Sequence, residues 1–129
     1  AGLPLLLAED NELNSEIATA LLEEQGASIT AVENGRLALE AIQNAAPRTY
    51  DAILMDVMMP EMNGLEATRC IRAYEGKGPG EGTPIIAMTA NVFADDVKAC
   101  LDAGMNSHVG KPLDMKVLIG EILKYTDAR

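Results

Sequence analysis

Five times along this chain a short apolar run gives way to an amphipathic segment, and that alternation leaves few folds open. The runs are Leu3 to Ala8, Ser28 to Val32, Tyr50 to Met55, Pro84 to Thr89 and Ser107 to Gly110. Between them, residues recur at helical spacing. Asn11 to Glu24 carries Leu13, Ile17, Ala20, Leu21 and Glu24, with Asn11 as N-cap and Gly26 as stop. Gly35 to Asn44 ends before Pro47, and Leu65 to Tyr74 places Leu65, Thr68, Ile71 and Arg72 on related faces. Val92 to Ala103 is closed by Gly104, and Met115 to Tyr125 is the last segment. Continuous apolar strands alternating with helices predict an α/β fold whose parallel sheet is covered on both faces. Right-handed crossovers then give a doubly wound, three-layer sandwich. Pattern alone leaves the strand order open.

One stretch lacks periodicity. Glu75 to Thr83, EGKGPGEGT, has four glycines in nine residues and reads as an exposed, mobile loop. It follows a helix rather than a strand, and no helix starts directly after it, so it is not a phosphate-cradling glycine loop.

At 129 residues and 48% apolar the chain reads as one globular domain, spanning 1–129. It starts at Ala1 without an initiator Met, which reads as a piece excised from a longer protein. The aromatics are Phe93, Tyr50, Tyr74 and Tyr125, with no Trp, so the core is aliphatic and Met-rich. A net charge of −10 argues against nucleic-acid binding, which needs Lys and Arg to displace counterions, and it favours cations and basic partner surfaces. Cys70 and Cys100 have neither CxxC spacing nor a His cluster, and read as free thiols of a reducing, cytoplasmic compartment. No apolar stretch reaches membrane-spanning length, so no membrane contact is expected of this domain.

In open α/β sheets the ligand site lies beyond the carboxyl ends of the strands. This chain puts Glu9-Asp10 there after the first strand, Asp56 after the third, Thr89-Ala90 after the fourth and Gly110-Lys111-Pro112 after the fifth. Taken singly, each has an ordinary explanation: a helix cap, a turn opener, a strand residue, a solvated loop charge. Their landing together on successive strand ends asks for a common cause. Carboxylates brought within about 4–6 Å repel one another, and a divalent cation relieves that. An all-oxygen site suits Mg²⁺ or Mn²⁺. Lys111 supplies a mobile positive charge and Thr89 a hydroxyl donor, so the set is suited to accept a phosphoryl group on an aspartate.

Leu5-Leu6-Leu7-Ala8-Glu9-Asp10-Asn11, Leu54-Met55-Asp56-Val57-Met58-Met59-Pro60-Glu61-Met62-Asn63-Gly64, Pro84-Ile85-Ile86-Ala87-Met88-Thr89-Ala90 and Gly110-Lys111-Pro112 closely resemble the response-regulator receiver domain, over essentially the whole chain. The resemblance implies a flavodoxin-like (βα)5 sandwich with a five-stranded parallel sheet of order 2-1-3-4-5. It makes Asp56 the phosphoacceptor. Asp10, Asp56 and the Met58 backbone carbonyl would bind Mg²⁺, with Glu9 acting through water, and Thr89 and Lys111 would contact the phosphoryl group. Asp10 to Asn14, Gly64 to Thr68 and Thr89 to Asp96 further resemble the C-terminal receivers of hybrid sensor histidine kinases. That implies a phosphodonor domain of a histidine kinase, a histidine phosphotransfer domain as acceptor, and a parent kinase in the inner membrane. Receivers of stand-alone or DNA-binding response regulators share the same set.

The resemblance also implies a switch. Thr89 is drawn to the phosphoryl group, and an aromatic three residues before the lysine follows it. His108 occupies that position, where Phe or Tyr is more familiar, and brings a titratable ring to it. An alternative is a histidine at a strand edge without a gating role. The family tunes hydrolysis from the positions of Met58 and Asn91. Met58 is apolar and orients no water, which predicts slow dephosphorylation. Leu13 and Ile17 are candidates either for a docking patch or for the core.

Three rivals are weaker. A flavodoxin-like cofactor-binding module would need a Ser/Thr/Gly loop where Glu9-Asp10 repels phosphate. An aspartate-nucleophile phosphohydrolase would carry an acid where Met58 stands. A degenerate receiver would have lost part of the acid, threonine and lysine set.

Overall fold

The computed structural model describes residues 3–45, 49–57, 63–76, 82–89, 94–110 and 115–126. In chain order the elements are β1 (Leu3–Ala8), α1 (Glu12–Glu24), β2 (Ala27–Val32), α2 (Gly35–Gln43), β3 (Ala52–Asp56), α3 (Gly64–Glu75), β4 (Ile85–Thr89), α4 (Ala94–Ala103), β5 (Ser107–Gly110) and α5 (Met115–Thr126). The strands form one parallel sheet of order β2-β1-β3-β4-β5, as the resemblance implies.

Strand alternation splits the core into two layers. Leu6, Ala8, Ile53, Met55, Ile85 and Ala87 meet Ala38, Ile42, Ala67, Ile71 and Cys100 of α2, α3 and α4. On the other face Leu5, Leu7, Leu54, Ile86 and Met88 meet Ala18, Leu22, Leu118 and Ile122 of α1 and α5. β3 and β4 are buried at every residue, which is why they read as unbroken apolar runs. β3 ends in Asp56, as the sequence suggests, so the acid is a strand residue with ladder neighbours.

Three helices begin on an asparagine whose side chain accepts a backbone N–H three residues on. Asn11 takes that of Asn14 at 2.9 Å, Asn34 that of Leu37 at 2.8 Å and Asn63 that of Glu66 at 3.0 Å. Gly26 follows α1 with φ 95°, the left-handed conformation that ends a helix. Cys70 is half-buried and Cys100 buried, and neither is in a disulfide. Among the described residues no helix is long and apolar enough to cross a membrane.

One open alternative is decided and one expectation needs correction. Of the two readings of Leu13 and Ile17, docking patch or core, the core is excluded. Leu13 is 64% and Ile17 50% exposed, and Leu21 is exposed too, while Ala18 and Leu22 are buried. The face turned to the sheet lies one residue, about 100°, around the helix, because small Ala18 fits close to the strands. The glycine-rich loop is not exposed at its ends. Glu75 is half-buried and Gly82 and Thr83 are buried, held by Arg72, while residues 77–81 lie outside the described residues.

Candidate functional site

β1 steps to β2 on one side and the chain then crosses to β3 on the other, so the loops leaving β1 and β3 diverge. A crevice opens between them at the carboxyl edge. Register fixes what stands there. Ala8 pairs with Met55, which brings Glu9 and Asp10 level with Asp56. Asp56 pairs with Met88, which places Thr89 one residue beyond on β4, and Thr89 pairs with Gly110, the residue before Lys111.

The three acids come together. Carboxylate oxygens of Glu9, Asp10 and Asp56 all lie within 4.8 Å of one another. Glu9 and Asp56 are buried, at 5% and 4% exposure, while Asp10 is exposed. The Asn11 N–H donates to Glu9 Oε1 at 3.2 Å, and the Asn11 side chain caps α1. One short turn thus orients an acid and starts a helix.

Below Asp56 the chain is anchored from α3. Gly64 N–H donates to the Val57 carbonyl at 3.0 Å. A Cβ on Gly64 would run into the Asp56 carbonyl oxygen and stand 3.0 Å from both Met55 Cγ and Val57 Cα. Only glycine lets the first turn of α3 lie this close to the backbone of Asp56.

Thr89 is buried at the end of β4, and His108 is half-buried on β5, opposite Ala87. His108 alternates with Val109, which belongs to the α1–α5 layer, so it faces the α4 side. Lys111, Met58 and Asn91 lie outside the described residues.

The oxygens fit a small hard cation. Around Mg²⁺ at about 2.1 Å, two directly bound oxygens stand no more than roughly 4.2 Å apart. With all its oxygens within 4.8 Å of one another, the cluster is compact enough for its carboxylates to share one such ion, directly or through water. All its donors are oxygens, the chemistry such ions prefer.

The response regulator receiver domain family matches residues 5–123. The chain belongs to that family. This receiver is 38% identical over 122 residues to the sensor protein GacS of Pseudomonas syringae pv. syringae, covering 95% of the chain and 13% of GacS. The first curated relatives it matches are a probable histidine kinase of Oryza sativa and the GacS sensor proteins of two Pseudomonas species, and it spans only 13–14% of their length. Among solved structures it is similar to the receiver domain of sensor histidine kinase PA1611 from Pseudomonas aeruginosa PAO1, with magnesium coordinated in the active site cleft. That match has a TM-score of 0.85 and 38% identity, and covers 98% of this chain and 99% of the other. It is also similar to the receiver of Saccharomyces cerevisiae Ssk1 in complex with the histidine phosphotransfer protein Ypd1, at a TM-score of 0.87 and 25% identity, covering 98% and 90%. The receiver is therefore a two-component signalling domain with relatives among histidine kinase receivers.

Sequence reasoning missed two contributors. Gly64 was part of a motif without a physical role of its own. Arg72 is buried by α3 in a polar group far from the acids. The available signal for Arg72 was an arginine sharing a helix face with Thr68 and Ile71.

Proposed function

We propose that Asp56 accepts a phosphoryl group from the phosphohistidine of a histidine kinase and hands it to a histidine phosphotransfer domain. The observation that carries this is the cluster of Glu9, Asp10 and Asp56 within 4.8 Å at the sheet edge, with Thr89 on the adjoining strand. An Asp56 carboxylate oxygen attacks phosphorus, the P–N bond breaks and the imidazole leaves with its electron pair. Asp10, Asp56 and the Met58 carbonyl would hold Mg²⁺ or Mn²⁺, with Glu9 through water. The ion supplies charge neutralisation for the phosphoryl oxygens. Thr89 donates a hydrogen bond and Lys111 a positive charge to the same oxygens. His108 follows Thr89 in the switch.

The exposed Leu13, Ile17 and Leu21 form an i, i+4, i+8 stripe on α1, which starts two residues after Asp10. We assign this stripe to docking of the phosphotransfer domain, supported by the likeness to a receiver bound to Ypd1. The parent protein is then a sensor histidine kinase holding this domain in the cytoplasm. With Met58 two residues after the acceptor, the phosphoryl group is held for transfer rather than quickly lost to water.

The test is labelling by acetyl phosphate or phosphoramidate with Mg²⁺, wild type against Asp56→Asn, read by intact mass. Wild type gains one phosphoryl group and the variant none. Equal labelling of both sinks the assignment, and a phospho-Asp56 half-life of seconds refutes the storage role.

A further inference from the structure

At the amino-terminal edge of the sheet, opposite the acids, a second polar group takes no part in that chemistry. Arg72 enters it from α3, buried to 9% exposure. Its Nε donates to the Gly104 carbonyl at 2.9 Å, Nη1 to the Thr83 carbonyl at 2.8 Å and to Glu75 Oε1 at 3.0 Å, and Nη2 to Asn106 Oδ1 at 2.9 Å. Burial lowers the pKa of the guanidinium, and Glu75 opposes that shift. The other Glu75 oxygen accepts from Thr83 N–H at 3.1 Å and its hydroxyl at 2.7 Å.

Asn106 is the hub. Its Oδ1 also accepts the Ile85 N–H at 2.9 Å, and its own N–H donates to the Ile85 carbonyl at 2.8 Å. Its carbonyl accepts the Tyr125 hydroxyl at 3.1 Å. One asparagine thus joins α3, the start of β4, the start of β5 and the end of α5. Gly104 admits Arg72 by lacking a side chain: its φ is 112°, and a Cβ there would stand 2.9 Å from Arg72 Cγ.

β4 has five residues and carries this knot at one end and Thr89 at the other; β5 has four and carries it at one end and Gly110, the neighbour of Lys111, at the other, with His108 two residues from Asn106. From Ile85 to Thr89 is only about 13 Å at a strand rise of roughly 3.3 Å per residue. Charge-assisted hydrogen bonds that converge on one guanidinium and one amide resist opening more than isolated neutral ones do. A pull on Thr89 then turns the far ends of these strands while their bases stay in place. α3 is tied twice, by Gly64 against the Asp56 backbone and by Arg72 in the knot.

We propose that the Arg72–Asn106 knot is the fixed pivot of the phosphorylation switch. It holds the bases of β4 and β5 and the ends of α3 and α5 in one arrangement in both states, and confines the change to α4 and the carboxyl ends of β4 and β5. The proposal rests on Asp56 being the phosphoacceptor.

The test is amide hydrogen exchange on the 129-residue chain, with and without acetyl phosphate and Mg²⁺, for wild type, Arg72→Lys and Tyr125→Phe. Intact mass first confirms the phosphoryl group; its absence refutes the phosphoacceptor assignment and leaves the knot's geometry standing. In wild type, the Ile85, Met105 and Asn106 amides keep their protection within about twofold, while Val109 and Gly110 change on the order of tenfold. In Arg72→Lys the base amides become sensitive to phosphorylation, and the response at Val109 and Gly110 shrinks. Tyr125→Phe, which removes one hydroxyl and keeps the ring, moves the same way by less. A purely structural role would lower protection equally in both states, leaving the ratio between them unchanged. That result in both variants, or a wild-type base that responds as strongly as the carboxyl ends, overturns the proposal.

Discussion

Gly64→Ala is the sharpest perturbation of the site that leaves every polar group in place. The new methyl carbon would meet the Asp56 carbonyl oxygen, Met55 Cγ and Val57 Cα, two of them backbone atoms with nowhere to turn. To regain ordinary contact distance the start of α3 must retreat by roughly 0.5–1 Å. Such overpacking costs about 1–3 kcal/mol, from which about 1 kcal/mol of helix propensity is recovered, leaving up to about 2 kcal/mol of net destabilisation. For 129 residues the unfolding entropy is about 0.27 kcal/mol/K, so Tm falls by up to roughly 7 °C. The same retreat shifts the backbone of Asp56, and displacements of this size cost on the order of tenfold to a hundredfold in rate. Gly120→Ala is the matched control. Gly120 is exposed within α5 and nothing lies within 4 Å of its added Cβ, so that change raises Tm by roughly 2–4 °C and leaves labelling alone. Differential scanning calorimetry and the initial rate of acetyl phosphate labelling read both. A Gly64→Ala variant with wild-type Tm and wild-type labelling would refute the claim that α3 is pressed against the Asp56 backbone.

Other outcomes follow from the same geometry. Arg72→Ala takes the guanidinium from the half-buried Glu75 and Asn106 and from the buried Thr83 carbonyl, and should cost about 3–5 kcal/mol in urea denaturation. Ile17→Glu on the exposed α1 stripe should slow relay to a histidine phosphotransfer domain at least tenfold without changing Tm or small-donor labelling, which phosphotransfer kinetics would read. Removing divalent cations with a chelator should abolish labelling, and Asp10→Asn should weaken its Mg²⁺ dependence at least tenfold in a titration.

The layered fold was legible because its central strands are buried on both faces. Ile53 to Met55 and Ile85 to Met88 have no solvent side to interrupt them with polar residues. The acids were legible because each ends such a run. What sequence reading could not supply was the direction each helix faces. On α1 the larger Leu13 and Ile17 drew attention, while Ala18 and Leu22 meet the sheet, since packing distance rewards fit rather than size. Arg72 was read as one more helical residue. Its burial becomes intelligible only when Thr83, Gly104 and Asn106, 11 to 34 positions away, are brought around it.

The Tyr125 hydroxyl bond to Asn106 gives this chain a built-in optical gauge. With no tryptophan present, tyrosine emission is not drained by energy transfer to an indole. Tyr74 is exposed and Tyr50 packs beside the core, so replacing both with phenylalanine would isolate the emission of a single ring. That ring sits at the end of α5, beneath the Lys124 ammonium at 5.5 Å. Loosening of the knot would be recorded as a change in intensity and lifetime, on a protein carrying no added dye, while the reaction at the opposite edge proceeds.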